Sequence, residues 1–182
     1  MSAYKIVFSG SPGAGKTTAI TAVSDKAPVV TDVRNTDARL AKENTTVGLD
    51  FGEIDLGGGH SVRLLGTPGQ LRFEFLWPII AKNALGLVIL IDNSRADPLA
   101  DLNVYLDAYR TTLAHLNCVV GVGRIPTHPK PGLDDFSGAL SARGLVLPVL
   151  AVDVRKREDV LRLIDSVLIQ AETRAHPGEA HV

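Results

Sequence analysis

Gly10-Ser11-Pro12-Gly13-Ala14-Gly15-Lys16-Thr17 fits the pattern G-x-x-x-x-G-K-[ST] at every fixed position. The apolar run Tyr4-Lys5-Ile6-Val7-Phe8 precedes it and a helix-like stretch, Lys16 to Val23, follows. Strand, loop and helix therefore come in the order that a phosphate-binding loop requires. Glycines at 10, 13 and 15 let the backbone approach phosphate oxygens and turn successive N–H groups inward. The helix start adds unpaired N–H groups and the positive end of its dipole. Lys16 supplies a point charge for terminal phosphates, and Thr17 offers a hydroxyl to Mg²⁺. A Gly-rich turn with an exposed lysine is the plain alternative, but it does not account for the agreement of all fixed positions with both flanks.

Working outward, 182 residues suit one domain with its own core. Hydrophobic residues at 45% and charged residues at 21% are ordinary for a globular protein. A net charge of -1 argues against nucleic acid or an anionic membrane as the partner. Cys118 is the only cysteine, so no internal disulfide can form; its apolar surroundings suggest inert packing in a reducing cytoplasm. No signal peptide, membrane-spanning run, myristoylation signal or prenylation signal is visible, so no direct membrane anchor is expected.

Along the chain, Asp25 to Asn44 has little apolar periodicity and is expected to be a long functional loop, with room for one short helix. Val47 to Leu56 alternates, Gly57-Gly58-Gly59 turns, and His60 to Leu65 alternates back, which predicts a hairpin. His60 beside the turn reads as a solvated residue, since no second metal-type residue is spaced to join it. Gly66-Thr67-Pro68-Gly69-Gln70 leads into an apolar helix holding Phe73, Phe75 and Trp77, at least one of which belongs to the core. Gly86 to Asp92 reads as a central strand. Leu102, Tyr105, Leu106, Tyr109, Leu113 and Leu116 mark an amphipathic helix.

Cys118 to Val122 predicts another strand, 123–132 a proline-broken loop, and Leu133-Asp134-Asp135 the start of an aspartate-capped helix. Val146 to Val152 predicts the last strand, and Val160, Leu161, Ile164, Val167 and Leu168 line the closing helix. Residues 171–182 are polar and expected to be a disordered tail, which leaves a domain over 1–170. The count gives a doubly wound α/β domain with a mostly parallel six-stranded sheet. In such sheets ligands bind at the carboxyl ends of the strands, where the phosphate loop, the stretch before Thr46 and Gly66 to Gln70 all fall.

Four stretches together resemble the Ras-like small GTPases, and within them the bacterial branch of the gliding-motility MglA proteins and the actinobacterial conservon proteins. They are the phosphate loop, Thr45-Thr46-Val47-Gly48, Thr67-Pro68-Gly69-Gln70, and Val152-Asp153-Val154-Arg155. The resemblance covers residues 4 to about 170 and implies a three-layer sandwich that binds Mg²⁺ with GTP or GDP. It implies nucleotide contacts from Gly10, Ser11, Pro12, Gly13, Ala14, Gly15, Lys16, Thr17, Thr18, Thr46, Gly69, Arg124, Asp153 and Val154. Thr17 and Thr46 would hold Mg²⁺, Lys16 and Gln70 would be catalytic, and Gln70 would orient the attacking water. The implied biology is a slow hydrolase in bacterial signalling, motility or polarity, with a roadblock-type regulator and an unidentified effector.

The sequence departs from that pattern at three places. Gly66 stands where most of the family has an Asp that holds Mg²⁺ through water, which predicts weaker metal affinity. Pro12 crowds the place where a partner's arginine would enter; Arg34, Arg39 or Arg72 could supply one in cis. Gly123-Arg124-Ile125-Pro126 replaces the family's Asn/Thr-Lys-x-Asp, so the guanine-reading carboxylate is missing there and discrimination against adenine is in doubt. Arg124 could stack over a base, and Asp134 or Asp135 could fold back to replace the carboxylate. Two further readings stay open: a degenerate nucleotide-binding scaffold with little or no hydrolysis, and an ATP-using phosphotransferase.

Overall fold

The computed structural model describes residues 2–25, 29–33 and 47–175. The first strand, β1 (Ser2–Gly10), runs into the phosphate loop, and α1 (Lys16–Val23) leaves it. A hairpin follows, β3 (Val47–Gly57) and β4 (His60–Gly66), turned at the glycines and irregular between Asp55 and Gly57. β5 (Gly86–Asp92), β6 (Asn117–Gly123) and β7 (Val149–Val152) are parallel to β1 and to one another.

These are the six strands expected from the sequence. A seventh, β2 (Val29–Val33), pairs antiparallel with β3 at the sheet edge. It lies inside the stretch expected to be irregular, because a short segment gains strand conformation from an edge that needs a partner. The order is β2-β3-β4-β1-β5-β6-β7.

Alternation along the central strands sorts their side chains onto two faces. Ile6, Phe8, Val88, Leu90 and Val119 pack with Ala19, Ile20 and Val23 of α1 and with Val160, Leu163, Ile164 and Val167 of α5 (Arg157–Ala175). Val7, Leu87, Ile89, Ile91, Cys118 and Val120 pack on the other face. There they meet Trp77 and Ala81 of α2 (Trp77–Ala81), Leu102, Tyr105 and Leu106 of α3 (Pro98–Ala108), and Phe136 and Leu140 of α4 (Leu133–Ala142). Both faces of β5 are thus covered, which explains its uninterrupted apolar run. Cys118 is fully buried, as expected, and desolvation pushes its thiol up to about 12.

Several boundaries differ from expectation. α3 stops at Ala108, and Leu113 and Leu116 reach the core from turns in which Leu113 N–H bonds Tyr109 O and Leu116 N–H bonds Thr112 O. Spacing alone cannot separate such turns from one more helical turn. β7 starts at Val149 rather than Val146, since Pro148 has no N–H for the ladder and Val146 is 96% exposed. Residues 71–76 form a 3-10 turn ahead of α2, with Pro at the start of the α-helix. α5 continues to Ala175, beyond the domain end expected at 170, because its polar last turns still bond internally: Thr173 Oγ1 donates to Ile169 O at 2.8 Å. The rest of the expected tail, 176–182, lies outside the described residues.

Candidate functional site

The phosphate loop holds its shape through its glycines. Gly10 has φ +148° and a Cβ there would lie 2.3 Å from Leu90 O, inside the neighbouring strand. Gly15 has φ +94° and caps α1, and a Cβ there would lie 2.7 Å from Val154 Cγ2. No side chain caps α1 and its first turn holds no acidic residue, so the positive helix end is left for an anion. Ala14 N–H closes the loop on Ser11 O at 3.1 Å.

Lys16 is buried, and its Nζ donates to Gly10 O at 2.6 Å and Ser11 O at 2.9 Å, so it spans the loop from within. Burial pushes its pKa down to about 8, against an opposing pull from Asp50. Thr17 and Thr18 are exposed at the start of α1, and so is Pro12 on the loop.

Thr17 Oγ1 donates to Asp50 Oδ2 at 2.6 Å. In the sequence Asp50 reads only as one polar position of a half-buried strand. The register of the hairpin explains its place: Asp50 on β3 pairs directly with Gly66 on β4. A Cβ built on Gly66 would lie 3.0 Å from both Cβ and Oδ2 of Asp50. The carboxylate therefore occupies the side-chain space above Gly66, and the expected loss of a fixed negative charge beside Thr17 is offset from the adjacent strand. The available signal was the pairing itself, a glycine opposite an aspartate across a hairpin.

Gly66 to Gln70 lies against the loop. A Cβ on Gly69 would fall 2.7 Å from Lys16 Nζ and 2.7 Å from Pro12 N, so the backbone of Gly69 sits at the mouth of the cradle. The loop is tied behind: Thr67 N–H bonds Phe8 O at 2.8 Å, and Thr67 Oγ1 meets Ser9 Oγ at 3.0 Å, which also accepts from Tyr109 OH at 3.1 Å. Trp77 donates its indole N–H to Pro68 O at 2.7 Å and stacks on Tyr105 with centroids 4.6 Å apart. Trp77 is thus the core aromatic expected in this segment. Phe75 is 49% exposed, Leu71 61% and Ile79 64%, three large apolar side chains open to solvent along the 3-10 turn and α2. Gln70 is exposed at the start of the 3-10 turn.

A cavity of about 730 Å³ opens beside the loop, between Gly13, Ala14, Gly15 and Thr18 on one side and the ends of β6 and β7 on the other. Arg124, Asp153 and Val154 line it. Arg124 has φ +65° and its Nε pairs with Asp92 Oδ1 at 2.8 Å, which ties it to the end of β5. Asn93 Nδ2 pins the following loop through His128 O at 2.6 Å and Pro131 O at 3.0 Å.

Asp134 and Asp135 do not line the cavity. Asp135 instead accepts Gly132 N–H at 2.7 Å and caps α4, which removes it as a replacement for the carboxylate absent at Pro126. Thr45 and Thr46, and with them Arg34 and Arg39, lie outside the described residues. Arg72 is exposed and stands 4.8 Å over the Phe73 ring. Among the described residues no group of three or more His, Cys, Asp or Glu could hold a metal. The donors beside the cradle are a hydroxyl and a carboxylate, hard oxygen ligands of the kind Mg²⁺ accepts when phosphates complete its shell.

No protein-family model matches the chain. An uncharacterized protein of Methanocaldococcus jannaschii is 28% identical over 91 residues, 50% of this chain and 52% of that protein, so the match spans about half of each. Among solved structures, the small GTPase Arl6 BBS3 of Trypanosoma brucei, bound to the nucleotide analogue GppNp, superposes with a TM-score of 0.67. That match is 16% identical and covers 94% of this chain and 98% of the other. The G domain of the FeoB iron transporter of T. maritima superposes with a TM-score of 0.64 at 15% identity, covering 93% and 99%. The chain has the fold of the Ras-like G domains. Among the described residues no helix is long and apolar enough to cross a membrane.

Proposed function

We propose that this chain is a nucleotide-dependent switch of the small-GTPase type, which binds Mg²⁺ with GTP or GDP and hydrolyses the triphosphate slowly. The observation that carries this reading is the convergence on one cradle of Lys16, the Thr17–Asp50 pair and the Gly69 backbone. Lys16 faces the terminal phosphates. Thr17 would hold Mg²⁺, with Asp50 positioned for its water, and Thr46 would be the second hydroxyl. Bound Mg²⁺ would supply neutralisation of phosphate charge.

Gly69 N–H would sense the γ-phosphate, and Gln70 would orient the attacking water. A movement of Gly69 would be transmitted through Pro68 to Trp77, whose indole N–H donates to the Pro68 carbonyl. The exposed trio of Leu71, Phe75 and Ile79 lies on the same segment. It supports a protein partner that reads the switch, such as a roadblock-type regulator or an effector. The likeness of four motifs to the MglA and conservon proteins supports a bacterial signalling or polarity role.

One observation favours the scaffold reading: Pro126 stands where a base-reading carboxylate is expected. Calorimetric titration of nucleotide-stripped protein with GDP, GTP, ADP and ATP, with and without Mg²⁺, separates the two. Tight Mg²⁺-dependent binding and turnover, both lost in Lys16→Ala, are expected of the switch. Absence of binding by all four would leave the scaffold.

A further inference from the structure

We infer that Asp153, at the end of β7, is the carboxylate that reads the base, and that it makes the cavity selective for guanine. This rests on the nucleotide-binding reading above and deepens it.

Gly123 on β6 pairs with Val152 on β7, so the two strands end together, and the residues that follow them, Arg124 and Asp153, both line the cavity. The residue that follows β7 can therefore supply the carboxylate that Pro126 does not. The distance from base to phosphate is set by a packing contact. Val154 lies against Gly15 so closely that a Cβ there would come within 2.7 Å, which locks the end of β7 to the phosphate loop.

The carboxylates that line the cavity are Asp153 and Asp159. Asp159 is committed elsewhere: its Oδ2 accepts Asp153 N–H at 2.8 Å and its Oδ1 pairs with Arg162. That bond also fixes the main chain from which Asp153 projects. Asp153 itself is held by Arg155, with Nε to Oδ1 and Nη2 to Oδ2 both at 2.8 Å and Arg155 N–H to Oδ1 at 3.1 Å. These donors keep Asp153 ionised, its pKa lowered to about 2.

An ionised carboxylate is an acceptor with two parallel oxygens. Guanine offers two parallel donors on one edge, N1–H and the C2 amino group. Adenine turns an unprotonated N1 to the same place, so that lone pair would face lone pair. The Arg155 fork shows that Asp153 already takes two parallel N–H donors, the geometry that the guanine edge repeats. The Arg155 side chain is 81% exposed, and an ion pair so open to water holds weakly, so it can yield to the base.

The test compares GDP, ADP and xanthosine diphosphate, each with Mg²⁺, on the full chain and on Asp153→Asn. The parent should prefer GDP over ADP by roughly a hundredfold or more, since an acceptor left facing an acceptor is strongly rejected. In Asp153→Asn the amide keeps one acceptor and gains one donor, which fits the N1–H and C2 carbonyl of xanthine. GDP should weaken and xanthosine diphosphate tighten, each by roughly a hundredfold. Gain of xanthine binding itself reports a folded variant. Arg155→Ala, which removes the competing cation, should retain or tighten GDP.

Equal affinity of the parent for GDP and ADP overturns the assignment while the nucleotide reading survives. So does a guanine-selective parent whose Asp153→Asn variant stays guanine-selective. Failure of all three nucleotides to bind the parent removes the nucleotide reading and this assignment with it.

Discussion

The strongest single consequence of the site is that Asp50 and Gly66 form one unit. Asp50→Asn keeps the shape of the side chain and an oxygen for Thr17 Oγ1, now 2.6 Å from Oδ2, but removes the charge beside the proposed Mg²⁺ position. Losing a partner that holds a metal's outer ligands lowers affinity by roughly 10- to 100-fold, which is about 1.4 to 2.7 kcal/mol at 1.36 kcal/mol per decade. The Mg²⁺ concentration that half-protects bound GDP from release should rise by that factor, measured as the dissociation rate of a fluorescent GDP across a Mg²⁺ titration.

Gly66→Asp alone should not help. Its Cβ would sit 3.0 Å from the Cβ and Oδ2 of Asp50 and 3.2 Å from Ile20 Cδ1, and two carboxylates would share one site. The double change Asp50→Gly with Gly66→Asp clears that space and returns one carboxylate from the opposite strand, so most of the Mg²⁺ dependence should come back. An unchanged Mg²⁺ midpoint in folded Asp50→Asn would refute the reasoning, as would a double variant no better than Asp50→Asn.

Four further outcomes are expected. Lys16 is held near 8 in the folded chain against 10.5 for a free lysine, and a bound polyphosphate would raise it again, so affinity should fall by roughly tenfold between pH 7 and pH 9 in calorimetric titrations. The same depression means that the unfolded chain keeps this proton longer, so the lysine's contribution to stability rises with pH between about 8 and 10.5; Lys16→Met should flatten that slope in urea melts. Trp77 is the only tryptophan and reports directly on Pro68, so its emission should differ between the GDP and GppNp complexes, with identical spectra counting against transmission through this bond. Gly15→Ala should abolish nucleotide binding and lower thermal stability by roughly 1 to 3 kcal/mol, because it forces a left-handed φ onto a residue whose Cβ meets Val154.

Much of this architecture is legible along the chain because its causes are local. The phosphate loop is contiguous, its glycines have backbone reasons to be glycines, and the flanking strand and helix announce themselves by apolar pattern. Six strands, the hairpin turn at Gly57-Gly58-Gly59 and a core aromatic among Phe73, Phe75 and Trp77 follow from the same kind of signal; which of the three it is, the packing of Trp77 decides. The edge strand Val29–Val33, the early end of α3 and the late start of β7 do not, since each depends on a partner or on a missing donor rather than on periodicity.

The site divides in the same way. Sequence by itself determined that a loop with the G-x-x-x-x-G-K-[ST] pattern joins a strand to a helix, that Lys16 and Thr17 stand at its end, and that glycine and proline occupy positions 66 and 126, where the resemblance leads one to expect carboxylates. Only the tertiary structure decided what stands near those places. Asp50 enters through the antiparallel register with Gly66, and Asp153, already a nucleotide contact by resemblance, is brought into the cavity where β6 and β7 end together at the Gly123–Val152 pair. A side chain's neighbour across a sheet is fixed by hydrogen-bond register between distant segments, a property no single stretch of sequence contains.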